Sequence, residues 1–386
     1  MTLPEHDLRG RAFARILLIK LSAVGDVVQT MPVLNKLRAR YPTARLDWLT
    51  VPAIAELLRP NAKISNVITF ARDEWRQPWR LEPYASAARL AVQLRAARYD
   101  LVLDLQGQFR SGVIARVTGA PVRIGFGRPR PQLWETSARK LPEEARKHAW
   151  QGAREGAWLA YSHVIRLPTL DMHAVDRYLG IVPMLGLDDG PADFAFPLPP
   201  AADGRADALL RRHGITGGDL VVMAPSANWE TKRWNGEKFA AVARHFIERG
   251  SAVALVGAGN EREACAAVAA LAPGAKNLAG ETTLTELAAL IRRARLCVTN
   301  DSGPMHLAVA LGRPVVSVFG PTDEIWAGPY RRPEAVVRTP LACAPCYLRK
   351  LERCPNGHAC MHDVPASAVI ERAEQILAHH GAAAAL

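Results

Sequence analysis

Short apolar runs alternate with segments of helical periodicity along the first half of the chain. Four runs have the length and composition of buried strands: Arg15–Leu21, Leu46–Thr50, Val67–Phe70 and Leu101–Leu105. Between them, apolar residues recur at helical spacing in Val27–Arg40 and Tyr84–Arg98. This βαβ alternation predicts an α/β unit with a parallel sheet that is covered by helices.

The pattern stops near Leu185–Pro200, where prolines interrupt a stretch without periodicity, and then starts again. The second half has strand-like runs at Leu220–Met223, Ala252–Val256, Leu296–Thr299 and Val315–Phe319. Helical segments are expected at Gly236–Arg249, Glu261–Leu271, Thr285–Arg293, Met305–Leu311 and Pro365–His379. We therefore predict an N-terminal Rossmann-like domain (1–185), a linker (186–205), a C-terminal Rossmann-like domain (206–364) and a last segment (365–386). Two such doubly wound domains would leave a cleft between them, with ligands at the carboxyl ends of their strands.

The composition is that of a globular protein with an excess of positive charge. The chain has 386 residues, 49% of them hydrophobic and 22% charged, which is typical of a globular protein rather than a disordered one. No run approaches 18 apolar residues, and the N-terminus lacks the pattern of a signal peptide, so we expect a cytoplasmic protein. The net charge of +12 favours anionic partners.

The loop after the first strand, Lys20–Asp26, carries the first candidate chemistry. Gly25 allows a tight turn, and Asp26 stands at the start of the following helix, where a carboxylate is favoured. Asp26 either caps this helix or acts as a general base, and the segment alone does not separate the two. A single glycine does not make the GxGxxG fingerprint, so a Rossmann oxidoreductase is disfavoured.

Three further stretches follow strands of the second half. Ala224–Trp234 offers Ser226, Lys232 and Arg233 to a phosphate, unless it is a solvated basic loop. Val256–Glu261 is a glycine turn from which Glu261 would accept hydrogen bonds from a ribose, although a plain tight turn explains it equally well. Asn300–His306 predicts a helix N-terminus that binds an anion, with Asp301 ready for sugar hydroxyls.

Together these stretches resemble glycosyltransferase family 9, the bacterial heptosyltransferases of lipopolysaccharide core assembly. The motifs that carry the resemblance are RILLIKLSAVGDVVQTMPVL, YDLVLDLQGQFRSG, APSANWETKRW and NDSGPMHLAVALGRPVVSVFGPTD. The resemblance implies the GT-B architecture of two Rossmann-like domains that face a central cleft. It also implies that the last helix, in 365–386, packs back on the N-terminal domain. It also implies an inverting, metal-independent transfer of a heptose from ADP-heptose to the Kdo/heptose inner core of lipopolysaccharide.

The resemblance further implies a role for each matching residue. Asp26 would be the general base, and Lys232 would neutralise the donor diphosphate with Ser226 nearby. Glu261 would bind the ribose, and the backbone near Thr282 would border the adenine. Asp301 would hold the transferred sugar, Ser302 and Gly303 would contact the diphosphate, and His306 would support them. No cofactor is implied.

A basic stretch between Pro121 and Arg154 is the candidate acceptor site, represented by Arg123, Arg128 and Arg130. Its partner would be an anionic glycolipid at the cytoplasmic face of the inner membrane, whose phosphates and carboxylates arginine pairs well. Trp75, Trp79, Trp134 and Trp150 lie near this stretch in the sequence and suit a membrane interface. The alternative is an ordinary arginine-rich surface loop. No nucleic-acid-binding motif accompanies the charge.

The C-terminal cysteines are the feature that the proposed mechanism does not need. Cys343, Cys346, Cys354 and Cys360, with two histidines, have spacings that suit either a structural zinc or iron–sulfur site or a reduced, metal-free cluster. We expect the cluster to be peripheral to catalysis.

Three other functions stay open at this level. A family member that uses another nucleotide sugar for a different envelope glycan would carry the same motifs. A nucleotide-sugar epimerase has a similar fold but lacks them. A non-catalytic envelope-glycolipid binder would need Lys232 and Asp301 but not Asp26.

Overall fold

The computed structural model describes residues 8–71, 79–129, 145, 150, 152–169, 171–217 and 219–384. The chain divides into two compact units, each built around its own parallel sheet. Unit 1 contains the described residues from 8 to 129 and from Trp150 to Pro197, and unit 2 contains Ala145 and the described residues from Leu198 onward. This division falls inside the stretch that the sequence gives as the linker. The linker is shorter than expected, because a helix already begins at Pro200, whose ring suits the first turn of a helix.

Unit 1 has six parallel strands in the order β3-β2-β1-β4-β5-β6. The strands are β1 (Arg15–Ile19), β2 (Arg45–Thr50), β3 (Asn66–Thr69), β4 (Leu101–Asp104), β5 (Val122–Phe126) and β6 (His163–Ile165). Its α-helices are α1 (Val24–Val28), α2 (Met31–Arg40), α3 (Pro52–Leu58), α4 (Glu82–Ala96), α5 (Phe109–Val117), α6 (Ala174–Tyr178) and α7 (Val182–Leu185). The central strands are buried on both faces, which explains their continuous apolar sequences.

The first helical segment is broken in two, although the sequence predicts one helix over Val27–Arg40. Helix α1 ends at Val28 and α2 begins at Met31. Pro32 is the cause, because its nitrogen cannot donate to the carbonyl of Val28 and its ring would clash there. The break leaves α1 as a short helix that presents Asp26 in its first turn.

Unit 2 repeats the same topology, with the order β12-β11-β10-β7-β8-β9. The strands are β7 (Leu220–Ala224), β8 (Ala252–Leu255), β9 (Lys276–Asn277), β10 (Leu296–Asn300), β11 (Val315–Phe319) and β12 (Val336–Arg338). Its helices are α8 (Pro200–Arg212), α9 (Gly236–Glu248), α10 (Arg262–Leu271), α11 (Leu284–Arg293), α12 (Gly303–Ala310), α13 (Glu324–Ala327), α14 (Ala359–His362) and α15 (Ala366–Ala384).

The last helix, α15, packs against α9, β11 and β12 of unit 2. The family resemblance implied that this segment packs back on the N-terminal domain. Val369 and Ala373 instead belong to the buried core of unit 2, together with Val316 and Val318 of β11. The apolar side of α15 is therefore used within its own unit.

In both sheets the strand order reverses beside the first strand of the unit. The reversal lies between β1 and β4 in unit 1 and between β7 and β10 in unit 2. Ligands of open α/β sheets bind at this switch point, outside the carboxyl ends of the strands. The residues that follow β1, β4, β7 and β10 are therefore the first place to look for function.

Candidate active site

In unit 1, Asp26 lies at the switch point and uses its two carboxylate oxygens differently. Oδ2 accepts a hydrogen bond from the backbone N–H of Ala23 at 2.9 Å, so the carboxylate does cap its own helix. Oδ1 accepts from the hydroxyl of Tyr178 at 3.0 Å. The Asp26 side chain is 41% exposed, which leaves the carboxylate within reach of a ligand. Capping and a chemical role are thus compatible in this residue.

A buried lysine completes this cluster. Lys20 directly follows β1, and its Nζ donates to the Tyr178 hydroxyl at 2.7 Å and to the carbonyl of Leu105 at 2.9 Å. The same Nζ lies 3.9 Å from Asp26 Oδ1. Burial lowers the pKa of Lys20, while the carboxylates of Asp26 and Asp104 oppose that shift. Burial and the Asp26 carboxylate raise the pKa of Tyr178, so its hydroxyl remains a donor.

The end of β4 holds the loop that leads to Asp26. The side-chain oxygen of Gln106 accepts from the backbone N–H groups of Leu21 and Ser22, at 3.0 and 3.3 Å. Asp104, which is fully buried, accepts from Tyr161 and from the backbone of Gln106 and Gly107. Burial raises the pKa of Asp104, and these hydrogen bonds oppose the shift. The two strand ends therefore fix the position of the Asp26 loop.

Sequence reasoning missed Tyr178 and assigned no role to Lys20. Tyr178 comes from α6, 152 positions after Asp26, and no local motif marks it. Lys20 carried a usable signal, because a lysine that immediately follows a buried strand needs a partner for its charge.

In unit 2, the structure brings Lys232 and Asp301 together. Lys232 Nζ lies 2.5 Å from Asp301 Oδ2, and the side chains are only 16% and 5% exposed. The hydroxyl of Thr322, which sequence reasoning missed, donates to the same Asp301 oxygen at 2.6 Å. Lys232 also lies over the ring of Trp229, with Nζ 4.4 Å from the ring centroid. The loop after β7 is thus more ordered than a solvated basic loop.

Asn300, the last residue of β10, holds the loop after β7 at the switch point through two hydrogen bonds. Its Nδ2 donates to the carbonyl of Pro225 at 2.9 Å, and its Oδ1 accepts from the backbone of Trp234 at 3.1 Å. Ser226 is buried and lies between Pro225 and Trp234 in the sequence, two residues after the end of β7. The first turn of α12 follows Asn300 and Asp301 directly, with Ser302 at its N-cap and no side-chain cap on its N–H groups. Gly303 and His306, which is half-buried, lie in this first turn.

Glu261 and Thr282 lie on two loops that contact each other beside this centre. Glu261 Oε2 accepts from the N–H of Ala258 at 2.8 Å in the turn after β8. The loop before α11 reaches that turn through Gly280, whose N–H donates to the carbonyl of Gly257 at 2.8 Å. Gly280 has φ of +75°, and a Cβ there would lie 2.8 Å from the Cα of Gly259, so only glycine fits.

The three arginines predicted to bind the acceptor lie in different surroundings. Arg123 is the second residue of β5, near the amino end of the strand, and its guanidinium donates to the carbonyls of Ala120 and Ala160. This prediction needs correction, because Arg123 is a structural brace at the wrong end of the sheet for a ligand. Arg128 follows the carboxyl end of β5 and is exposed, so its role stays a prediction. Arg130 lies outside the described residues, as do Trp75 and Trp134.

The cysteine segment is not remote from the Lys232 loop. His358 Nε2 lies 2.6 Å from the carbonyl of Thr231, and the Thr231 hydroxyl donates to the carbonyl of Leu348. Cys346 and Tyr347 donate their N–H groups to the carbonyl of Pro321, next to Thr322. The segment thus braces the loop that carries Lys232 and the loop that carries Thr322, the hydrogen-bond partner of Asp301. That the cysteines are peripheral to catalysis stays a prediction.

The four C-terminal thiols do not assemble into a metal site in the part of the chain that the structure describes. No group of three or more His, Cys, Asp or Glu residues there is arranged to hold a metal ion. Cys360 packs with Met361 against Gly320, and Cys354 Sγ accepts from the N–H of His358. Burial raises the pKa of the Cys360 thiol to about 12, which favours the protonated form. The neighbouring thiols of Cys346, Cys354 and Cys343 raise this pKa further, so the four cysteines lie close together, and their role stays a prediction.

Comparison with known proteins decides the family. The sequence profile of glycosyltransferase family 9 (heptosyltransferase) matches residues 87–149 and 141–356. Lipopolysaccharide heptosyltransferase 1 of Pseudomonas aeruginosa is 30% identical over 337 residues, which is 86% of each chain. The chain belongs to glycosyltransferase family 9. It is therefore a glycosyltransferase.

Solved structures agree with the fold of family 9. The family 9 glycosyltransferase of Veillonella parvula superposes with a TM-score of 0.74 at 22% identity, over 97% of this chain and 99% of that one. Escherichia coli heptosyltransferase WaaC, solved with ADP-2-deoxy-2-fluoro heptose, gives 0.68 at 26% identity, over 94% and 99%. The predicted GT-B architecture of two Rossmann-like domains is confirmed. Among the described residues, no helix is both long and apolar enough to span a bilayer.

The Tyr178 hydroxyl yields a first prediction. Tyr178→Phe removes the group that links Lys20 to Asp26 Oδ1, so we expect kcat to fall about tenfold with the KM for the donor unchanged. The size follows from the lower end of the range for losing one hydrogen bond to a charged group, about 1.5 kcal/mol. The matched control is Tyr99→Phe, which removes a buried tyrosine–aspartate hydrogen bond of the same unit, to Asp47, that the site does not use. Equal losses of kcat in both variants would contradict a specific role for Tyr178.

Proposed function

We propose that this glycosyltransferase transfers a heptose from ADP-heptose to the Kdo/heptose inner core of lipopolysaccharide, with inversion at the anomeric carbon. The relatives support this, since they are named as lipopolysaccharide heptosyltransferases at 30% identity and below. The observation that carries the proposal is the enclosed pair of Lys232 and Asp301 at the switch point of unit 2. A cation and a carboxylate held side by side suit a sugar diphosphate, because the phosphate needs the cation and the sugar hydroxyls need the carboxylate.

The donor is bound by unit 2 in this proposal. Lys232 and the free N–H groups at Ser302 and Gly303 face the diphosphate, where negative charge grows as ADP departs. Asp301 accepts hydrogen bonds from the heptose hydroxyls, and Ser226 and His306 complete this part. Glu261 accepts from the ribose, and the backbone near Thr282 borders the adenine. Positive charge from the protein then does what a metal ion does in other transferases, so no cofactor is required.

Asp26 accepts the proton in the proposed reaction. The acceptor hydroxyl oxygen forms a bond to the anomeric carbon while the bond from that carbon to the ADP oxygen breaks. The hydroxyl proton passes to Asp26 Oδ1, the oxygen that is not committed to the Ala23 cap. Tyr178 donates to that oxygen and Lys20 donates to the Tyr178 hydroxyl, so the tyrosine holds the carboxylate in place while the nearby lysine charge stabilises it before the proton arrives.

The proposed acceptor is an anionic glycolipid, which places the protein in the cytoplasm and at the cytoplasmic face of the inner membrane. The net charge of +12 supports such a partner. Arg128 is the described arginine that remains as a candidate for the acceptor's anionic groups.

Transfer with a panel of donors tests this proposal against its closest alternatives. Purified protein is incubated with a Kdo-bearing lipid and either ADP-heptose, ADP-glucose or UDP-glucose, and nucleotide release is measured with and without the lipid. We expect release of ADP from ADP-heptose that depends on the lipid. Turnover with UDP-glucose instead would favour another envelope glycan. Binding of ADP-heptose without any release would favour a non-catalytic binder.

A further inference from the structure

Helix α4 is apolar on two opposite sides, and only one of them is used. Residues on a helix advance by about 100° each, so positions i, i+4, i+7 and i+11 share a side. The inner side packs on unit 1 and consists of Pro83, Ala87, Leu90 and Leu94. The opposite side, which we call the outer stripe, consists of Leu81, Ala85, Ala88 and Val92, all of them exposed. Leu81 is 83% and Val92 70% exposed. Surface helices normally carry polar residues on this side.

Neighbouring elements extend the outer stripe into a larger apolar surface. Helix α5 contacts α4 and exposes Phe109 and Val113, which lie one turn apart. The turn Ala157–Ala160 packs so tightly on α5 that a Cβ at Gly112 would lie 3.1 Å from the Cα of Ala157, and it carries Leu159, which is 81% exposed. Seven of the ten large, exposed apolar side chains in the described chain lie in this region: Trp79, Leu81, Tyr84, Val92, Phe109, Val113 and Leu159. Such a concentration marks an interaction surface.

The charge around this surface is positive. Helices α4 and α5 carry four exposed arginines against a single acid, Glu82; the arginines are Arg89, Arg95, Arg110 and Arg116. Arg89 and Arg95 flank the outer stripe on its two sides. Apolar residues bordered by arginine, with tryptophan and tyrosine at one end, are the pattern of a helix that lies in the head-group layer of an anionic bilayer. Arginines near such a surface add electrostatic attraction to anionic lipids.

We propose that this surface docks on the anionic bilayer that holds the lipid acceptor, with α4 parallel to the membrane plane. The proposal rests on the proposed function in one respect, namely that the acceptor is a membrane glycolipid. A second copy of the chain is a poorer occupant, because a symmetric contact would set the arginines of one copy against those of the other. The surface inserts its apolar side chains into the head-group layer and does not cross the bilayer.

Vesicle flotation tests the docking surface. Wild-type protein is mixed with vesicles of phosphatidylethanolamine and phosphatidylglycerol, or of phosphatidylcholine alone, and the floated fraction is measured. We expect binding to the anionic vesicles that weakens with salt. The variant Val92→Glu/Leu159→Glu should bind at least about tenfold more weakly, since two inserted apolar side chains are lost. The matched control, Leu271→Glu/Ile325→Glu, alters two exposed apolar residues of unit 2 and should bind like wild type.

Three results would overturn the docking proposal. The first is wild-type protein that stays unbound on anionic vesicles, and the second is equal binding by Val92→Glu/Leu159→Glu and the control. A dimer in sedimentation that only Val92→Glu/Leu159→Glu abolishes would assign the surface to a second copy instead. Transfer to a detergent-dispersed acceptor is measured in parallel and should be unchanged in this variant. If wild-type protein transferred no heptose to the dispersed acceptor, the proposed function would be refuted. The flotation result would still decide whether the surface binds anionic bilayers.

Discussion

Asp26→Asn should lower kcat by about 10²–10⁴-fold while the protein remains folded. The asparagine side chain can still accept from the N–H of Ala23, so the cap of α1 survives. It cannot take the proton of the acceptor hydroxyl, because an amide is not a base at neutral pH. We therefore expect a loss in turnover with unchanged affinity for the donor, which unit 2 binds. Steady-state kinetics with ADP-heptose, together with a thermal unfolding curve, checks both halves of the prediction.

The control for Asp26→Asn is the same chemical change at Asp219. This residue lies just before the amino end of β7, and its carboxylate pairs with Arg295 at the surface. Its side chain is 52% exposed, close to that of Asp26. Asp219→Asn should keep wild-type turnover. If Asp26→Asn retained kcat within about threefold of wild type, Asp26 would be a helix cap and another group would be the base.

Lys232→Met should have the second large effect, on both turnover and stability. The leaving diphosphate loses its cation, which we expect to cost about 10²–10³-fold in kcat, as for loss of one electrostatic stabiliser of a transition state. Asp301 is left buried without its ion-pair partner, and we expect the free energy of unfolding to fall by about 3 kcal/mol. Thr322 still donates to Asp301, which keeps the loss at the lower end of the range for buried pairs.

A double variant separates these two effects. Lys232→Met/Asp301→Asn removes the buried charge as well as its partner, so most of the lost stability should return. Turnover should not return, since the diphosphate still lacks its cation and the sugar has lost its carboxylate. Denaturant unfolding and kinetics on the three proteins measure the two quantities independently. Recovery of turnover together with stability would mean that the pair supports the fold only.

The fold and the positions of the proposed donor residues at strand ends were accessible from the sequence because both depend on local patterns. Buried strands such as Arg15–Ile19 are continuous apolar runs, and the loops after them carry Asp26, Lys232 and Asp301. The doubly wound topology follows from this alternation, since parallel strands need helical crossovers. The family then follows from the motifs at the strand ends.

The contacts between distant segments were not accessible. Tyr178 reaches Asp26 from α6, and Thr322 reaches Asp301 from the loop after β11. Neither pairing follows from spacing along the chain, because it depends on how loops pack over the sheet. Arg123 shows the converse error, since its place in a basic stretch suggested a ligand while its strand position makes it a brace. The outer stripe of α4 escaped notice because periodicity does not tell which apolar side faces the core.

The most direct test of heptose transfer is the mass of the lipid acceptor after incubation with ADP-heptose. Wild-type protein should increase the mass of the Kdo-bearing acceptor by one heptose residue, and Asp219→Asn should do the same. Asp26→Asn and Lys232→Met should leave the acceptor at its starting mass over the same time. An unchanged acceptor mass with wild-type protein, under conditions where ADP-heptose is bound, would contradict the proposed reaction.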